Sequence, residues 1–329
     1  MATIEDVAKM TGLSPATVSR ALNNHPYVSE EKKRIVLEAA AKLNYHPNAS
    51  AKKLREQKAD TIAVMIPWLT NPFFAYLLEG IDTVATENDL QLLVCQTRND
   101  PQKELGFFTL LQTKQVDGMI LTSVENSWDT LCNYVEYGPI VMCNEYDKRA
   151  ELPAVFTDQT YGGYVGTRHL IERGHTNIAF CRGRADSNLV SEREQGFRKA
   201  MEEENIPIRE AWMLNDVMDL EDGKRAVRKL LNMRHMPTAV FTGSDQVAAG
   251  MILEARAHGL RVPEDIAVIG FDDQPIAEVT EPALTTIKQP IKEMGKKAME
   301  LMLDAVLHKK KWGKVGIELP LDLIVRRST

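Results

Sequence analysis

From Thr61 onward the chain repeats one pattern: a short run of consecutive apolar residues, then a longer stretch with apolar residues at helical spacing. Thr61-Ile62-Ala63-Val64-Met65-Ile66-Pro67 is apolar at nearly every position and too short for a helix, so it predicts a buried strand. The same reading predicts strands at 90–95, 117–122, 140–143, 155–156, 177–181, 238–242 and 266–271. Helices are predicted at 72–87, 102–113, 129–137, 161–173, 191–204, 220–233, 245–258 and 291–307, with Gly174 and Gly259 as stops. Strands alternating with helices imply parallel sheets covered on both faces, an α/β fold class. Two such units follow one another with no low-complexity linker.

The first sixty residues follow a different rhythm. Thr3 is placed as an N-cap with Asp6 at the third helical position to return a capping-box bond. Gly12 ends that helix, because it accepts the positive φ of a left-handed C-cap. Ser14 caps a second helix whose first position is Pro15, where a missing N–H costs nothing. On it, Pro15, Ala16, Ser19 and Arg20 face outward, while Val18, Ala21 and Leu22 face inward. A third helix starts at Ser29 with acidic Glu30 and Glu31 and sets Ile35, Ala39 and Leu43 on one face. Two short helices joined by a tight glycine turn predict a helix-turn-helix that reads the major groove. The run Ala49-Ser50-Ala51-Lys52-Lys53-Leu54-Arg55 could form a helix but has no core of its own, so it should order only against a partner.

Composition and charge refine this picture. At 329 residues the chain exceeds one typical domain, and two or three cores are expected. Its net charge of −6 argues against nucleic acid if taken whole. Residues 1–60, however, carry 10 Lys and Arg against 7 Asp and Glu, whereas residues 61–329 carry 30 against 39. The basic excess therefore falls in the segment expected to meet DNA. Cys95, Cys132, Cys143 and Cys181 lack paired spacing and read as small core residues rather than zinc ligands or disulfides. No apolar leader or membrane-length run is present, so a cytoplasmic protein with no membrane partner is expected.

The opening segment resembles the headpiece and hinge of the LacI/GalR family of bacterial transcription regulators. The T-I-x-D-V-A start at Thr3, T-V-S-R at Thr17, N-Y-x-P-N at Asn44 and A-x-x-L at Ala51 are all met without gaps. The likeness continues through most of the chain, and Lys114-Gln115-Val116-Asp117-Gly118 and Tyr137-Gly138-Pro139 resemble its catabolite-control branch. The resemblance implies a homodimer on a pseudo-palindromic double-stranded DNA operator. Pro15, Ala16 and Arg20 would contact bases in the major groove, with Arg20 donating to a guanine edge. Leu54 would wedge into a central minor-groove step. Thr3, Ser14, Thr17, Ser19, Asn23, Asn48, Ala51 and Arg55 complete the expected DNA-contacting set. The implied domains are a headpiece at 1–47, a hinge helix and linker at 48–60, and a core at 61–329 for effector binding and dimerisation. That core would have the two-lobed architecture of periplasmic binding proteins. Lobe 1 would take about 61–158 and 290–319; lobe 2 about 159–288 and 320–329.

In such a core, ligands bind at the carboxyl ends of the strands, between the lobes. Phe73 and Phe74, at a helix start, could stack on a sugar ring. By resemblance, Arg193 and Asp272 match the family's effector-binding arginine and aspartate, able to clamp a polyhydroxylated ligand. Ser244, where many members have asparagine, and Asp158, at the first crossing, complete the expected effector set. Arg182 and Arg184 near the same mouth favour a phosphorylated or acidic sugar. A second reading has a protein partner, phospho-HPr, in control, although Glu300 stands where that branch would present an arginine to the phosphate. An enzyme or an exported solute-binding protein is the remote alternative. No phosphate loop, nucleophile elbow or H-E-x-x-H zinc motif is present, and no catalytic residue, cofactor or metal is expected.

Overall fold

The computed structural model describes residues 2–45, 58–184, 187–308 and 313–329. It divides into two compact units, Met1–Ala59 and Asp60–Thr329.

The small unit is built from local signals. Helix Ile4–Thr11 begins at a complete capping box: Asp6 N–H donates to Thr3 Oγ1 (3.3 Å) and Thr3 N–H donates to Asp6 Oδ2 (2.9 Å). Gly12, at φ 67°, ends it. Helix Pro15–Leu22 opens with Thr17 N–H donating to Ser14 Oγ at 3.2 Å. Helix Glu30–Lys42 completes the bundle around buried Val7, Val18, Ala21, Val36, Ala39 and Ala40. The buried face of this third helix is set one residue from the sequence expectation. Val36 is fully buried while Ile35 is 37% exposed, because positions 36, 39, 40 and 43 keep the helical period better than 35, 39 and 43.

The large unit holds two six-stranded sheets. The first runs β11 (Gly316–Leu319), β5 (Ala154–Thr157), β4 (Ile140–Cys143), β3 (Gly118–Leu121), β1 (Thr61–Ile66) and β2 (Gln91–Gln96), all parallel. Alternation along β1 feeds two cores. Ile62, Val64 and Ile66 meet helices Pro72–Glu87 and Ile291–Val306, while Ala63 and Met65 join Phe108, Met119 and Leu121 on the other face. The second sheet runs β12 (Asp322–Ile324), β10 (Thr285–Lys288), β9 (Ala267–Asp272), β8 (Ala239–Phe241), β6 (Ile178–Cys181) and β7 (Met213–Leu214). Val240 and Val268 pack against helices Leu220–Leu231 and Asp245–Ala257. Phe180, Phe241 and Phe271 pack toward helices Gln159–Glu172 and Asn188–Glu203.

The chain passes between the sheets three times: after Thr157, after Lys288 and after Leu319. Two expectations need correction. The second sheet is not wholly parallel, since β12 pairs antiparallel with β10. Only Pro320 and Leu321 separate β12 from β11, so it enters from the side where the parallel strands end and runs against them. Cys132 is exposed, starting a 3₁₀ turn (Cys132–Tyr137) where a continuous helix was expected, whereas the other three cysteines are buried. Among the described residues no helix is long and apolar enough to cross a membrane.

Candidate functional site

On the small unit, Pro15, Ala16 and Arg20 are exposed, and Thr17 and Ser19 are half-buried, on the face opposite Val18 and Ala21. Asn23 closes the helix, its Nδ2 donating to the Ser19 carbonyl at 2.8 Å. Ser14 is committed to its cap, and exposed Thr3 to its capping box. The second helix thus presents small residues and one arginine, a surface that can approach base edges closely. The expected hinge contacts Asn48, Ala51, Leu54 and Arg55 lie outside the described residues.

In the large unit both sheets reverse strand order, the first between β1 and β3 and the second between β6 and β8. The carboxyl ends of those strands meet across a cavity of about 510 Å³. Pro67, Thr122 and Ser123 line it from the first sheet; Cys181, Gly183, Gly243 and Ser244 line it from the second. This is the position physical reasoning assigns to a ligand in open parallel sheets. The volume falls within the range that encloses a small molecule.

Arg193 reaches the cavity from helix Asn188–Glu203. Its Nε donates to Gln159 Oε1 (2.6 Å), its Nη1 to the Gly243 carbonyl (2.8 Å), and its guanidinium lies 3.7 Å above the Phe271 ring. Burial pulls its pKa down to about 10, opposed by the charge of Asp272. Asp272 ends β9 at φ 107°, a conformation costing about 1–3 kcal/mol in a non-glycine residue and typical of functional positions. Its two oxygens accept from Gln289 Nε2 (2.7 Å) and Gln274 Nε2 (3.0 Å), yet burial lifts its pKa to about 6.

The arginine and the aspartate are joined by a buried relay. Arg193 donates to Gln159, Gln159 Nε2 donates to Gln289 Oε1 (3.2 Å), and Gln289 Nε2 donates to Asp272. Thr157 Oγ1 donates to Gln289 Oε1 at 2.9 Å. Thr157, Gln159 and Gln289 sit on the first two crossings, so the cleft is hydrogen-bonded to the segments that join the lobes. Sequence reasoning missed both glutamines, and it missed Ser123, Asn144 and Glu145. Asn144 and Glu145 carried a usable signal, a polar pair where an apolar strand gives out, as Asp272-Asp273 stands at the end of β9.

The remaining expected residues separate. Phe73 and Phe74 line the cavity but are 5% and 8% exposed, packed edge-on with centroids 5.2 Å apart in the first lobe's core. Ser244 lines the cavity and caps helix Asp245–Ala257 through Val247 N–H (3.3 Å). Asp158 does not line the cavity; it is exposed and accepts from Tyr161 N–H at 2.8 Å as the N-cap of helix Gln159–Glu172. Nor do Arg182 and Arg184 offer open positive charge to an acidic ligand. Arg182 forks onto Glu194 (2.6 and 2.5 Å), and Arg184 Nη1 lies 2.6 Å from Glu125 Oε2. That second pair spans the lobes, as do Ser187 Oγ and Asn188 N–H, which both donate to Glu145 Oε1 at 3.1 Å.

Comparison with known proteins agrees with this geometry. Residues 3–48 match the model for bacterial regulatory proteins of the lacI family, and residues 167–329 match the periplasmic binding protein-like domain. The NTD biosynthesis operon regulator NtdR of Bacillus subtilis is 41% identical over 329 residues, covering all of both chains. Among solved structures, the transcriptional regulator CelR–cellobiose complex aligns over all of both chains with TM-score 0.75 and 29% identity. The lac repressor dimer bound to operator and an anti-inducer aligns over 99% of this chain and 98% of its own, with TM-score 0.88 and 26% identity. With a helix-turn-helix unit and a two-sheet cleft on one chain, and a full-length relative at this identity, the protein belongs to the LacI family of DNA-binding transcription regulators.

Proposed function

We propose that this protein is a homodimeric repressor of carbon-source genes, acting in the cytoplasm, whose hold on an operator is set by a small polyhydroxylated effector in the inter-lobe cleft. The observation that carries the effector half is the relay Arg193–Gln159–Gln289–Asp272, which links the cavity wall to two lobe crossings. The cellobiose in the CelR structure supports a sugar as effector, and the operator in the lac repressor structure supports double-stranded DNA as target. For the DNA half, Arg20, Pro15 and Ala16 read bases, and Thr3, Ser14, Thr17, Ser19 and Asn23 position the headpiece. Asn48, Ala51, Leu54 and Arg55 form the hinge contacts, with Leu54 as the wedge. The domain limits are 1–47, 48–60 and 61–329, and the division of contacts between Ala59 and Asp60 supports the last. In the cleft, Arg193, Asp272 and Ser244 bind the effector and the phenylalanines shape its floor. Leu253 (56% exposed) and Val279 (80%) on the second lobe, and Leu93 and Val94 on edge strand β2, are exposed apolar side chains that a homodimer contact would cover.

Control by phospho-HPr is the weaker reading, because Lys297 is already paired with Glu300 (2.8 Å) and Glu293 (3.7 Å). The test is fluorescence anisotropy on pseudo-palindromic DNA with and without candidate sugars. Binding that changes on sugar addition is expected; no DNA binding at low salt would refute the proposal. Ligand and DNA must shift each other's affinity by one common factor, commonly about 1–3 kcal/mol.

A further inference from the structure

The first-lobe wall of the cleft holds two side-chain oxygens that nothing meets. Ser123 Oγ and Asn144 Oδ1 are buried with no hydrogen-bond partner among the described residues. Ser123 and Asn144 line the cavity and are 7% and 5% exposed. The Asn144 amide donates through Nδ2 to the Thr122 carbonyl at 3.3 Å, which leaves its oxygen as the unmet atom. Asn144 also holds a positive φ of 75°, a left-handed conformation that asparagine adopts more readily than most residues. More than nine in ten buried polar groups in folded proteins are paired, so an orphaned cluster at a cavity wall asks for an external donor.

Beside them Glu145 adds charge. Its carboxylate accepts from Val124 N–H, Ser187 Oγ and Asn188 N–H, and no cation pairs with it among the described residues. Burial pushes its pKa up, as expected for an acid held among neutral donors. The two arginines at the mouth are already paired with acids: Arg184 with Glu125 and Arg182 with Glu194. A ligand phosphate would meet the Glu145 carboxylate on this wall, whereas an ammonium supplies three donors, no acceptor and the missing positive charge.

We propose that the effector carries a protonated amine on a polyhydroxylated frame, with the ammonium against Glu145, Asn144 and Ser123 and hydroxyls toward Arg193 and Asp272. This rests on the effector-cleft reading above. The experiment is titration calorimetry of the full chain at pH 7 with glucose, its 2-, 3- and 6-amino-deoxy derivatives, N-acetylglucosamine and glucose 6-phosphate. At least one amino sugar should bind ten-fold or more tightly than glucose. Glu145→Gln should reduce that ratio about ten-fold, and N-acetylation, which removes the charge from the ligand without touching the protein, should abolish it. Glucose or glucose 6-phosphate binding as tightly as every amino sugar would overturn the proposal while leaving the effector cleft standing. Heat from none of the six would overturn both.

Discussion

The sharpest test of the core concerns two helices that touch backbone to backbone. Helices Gln159–Glu172 and Asn188–Glu203 meet at Gly163 and Gly196. A Cβ on Gly163 would sit 2.1 Å from the Arg193 carbonyl oxygen, where ordinary contacts begin at 3.4 Å. Gly163→Ala therefore forces the helices apart by roughly an ångström, and the obstacle is backbone rather than a side chain that can swing away. Overpacking of this kind costs about 1–3 kcal/mol. Alanine's better helix propensity returns about 1 kcal/mol, so a net loss of up to about 2 kcal/mol is expected. The control is Gly106→Ala in helix Pro101–Gln112, where nothing lies within 4 Å of the added methyl. That change should stabilise by about 0.5–1 kcal/mol, the propensity gain alone. Urea unfolding followed by circular dichroism reads both as shifts of midpoint at unchanged slope. Because the clash is with the backbone of Arg193, Gly163→Ala should also weaken effector binding, and Gly106→Ala should not. A Gly163→Ala midpoint at or above wild type would refute the packing argument.

Three further outcomes are expected. Ser14→Ala removes the cap of the second helix and should cost about 1 kcal/mol of headpiece stability, read as an earlier loss of helical signal on heating. Arg20→Ala should relax base choice at one position per half-site by about 1–3 kcal/mol, measured by binding to a set of single-base operator variants. Asp272, lifted by burial from the usual 3.8 to about 6, keeps its proton longer in the folded protein than in the unfolded chain. Stability should therefore fall as pH rises from about 4 to 6, by up to about 3 kcal/mol from this group. Comparing Asp272→Asn with wild type over that range should show a shallower slope in the variant, and identical slopes would sink the assignment.

The sequence was most legible where interactions are local. Thr3 with Asp6, Gly12, and Ser14 with Pro15 each fix a helix end within four residues, and all appear where expected. The apolar runs that became β1, β3, β4, β6, β8 and β9 were visible because both faces of a central strand are buried. Thr285–Lys288, Gly316–Leu319 and Asp322–Ile324 went unread, since short strands carrying Thr, Glu, Asp and Lys have no distinctive period. In the cleft, Arg193 and Asp272 were found by resemblance. Gln159 and Gln289 were not, because they meet across 130 residues of chain and only the fold brings them together. Arg182 and Arg184 misled for the related reason that a sequence displays charge but hides the partner that neutralises it.

The Arg193–Gln159–Gln289–Asp272 relay has a direction. It starts at a group that can only donate and ends at one that, when ionised, can only accept, so each glutamine amide is locked in one orientation by its neighbours. Turning a single amide over would set oxygen against oxygen on one side and N–H against N–H on the other. The two crossings are thus bound by a seal that holds as a whole or breaks as a whole, without graded slackening. Such an element favours two discrete lobe arrangements over a continuum. Each molecule would then be either sealed or open, and effector concentration would set the fraction in each state.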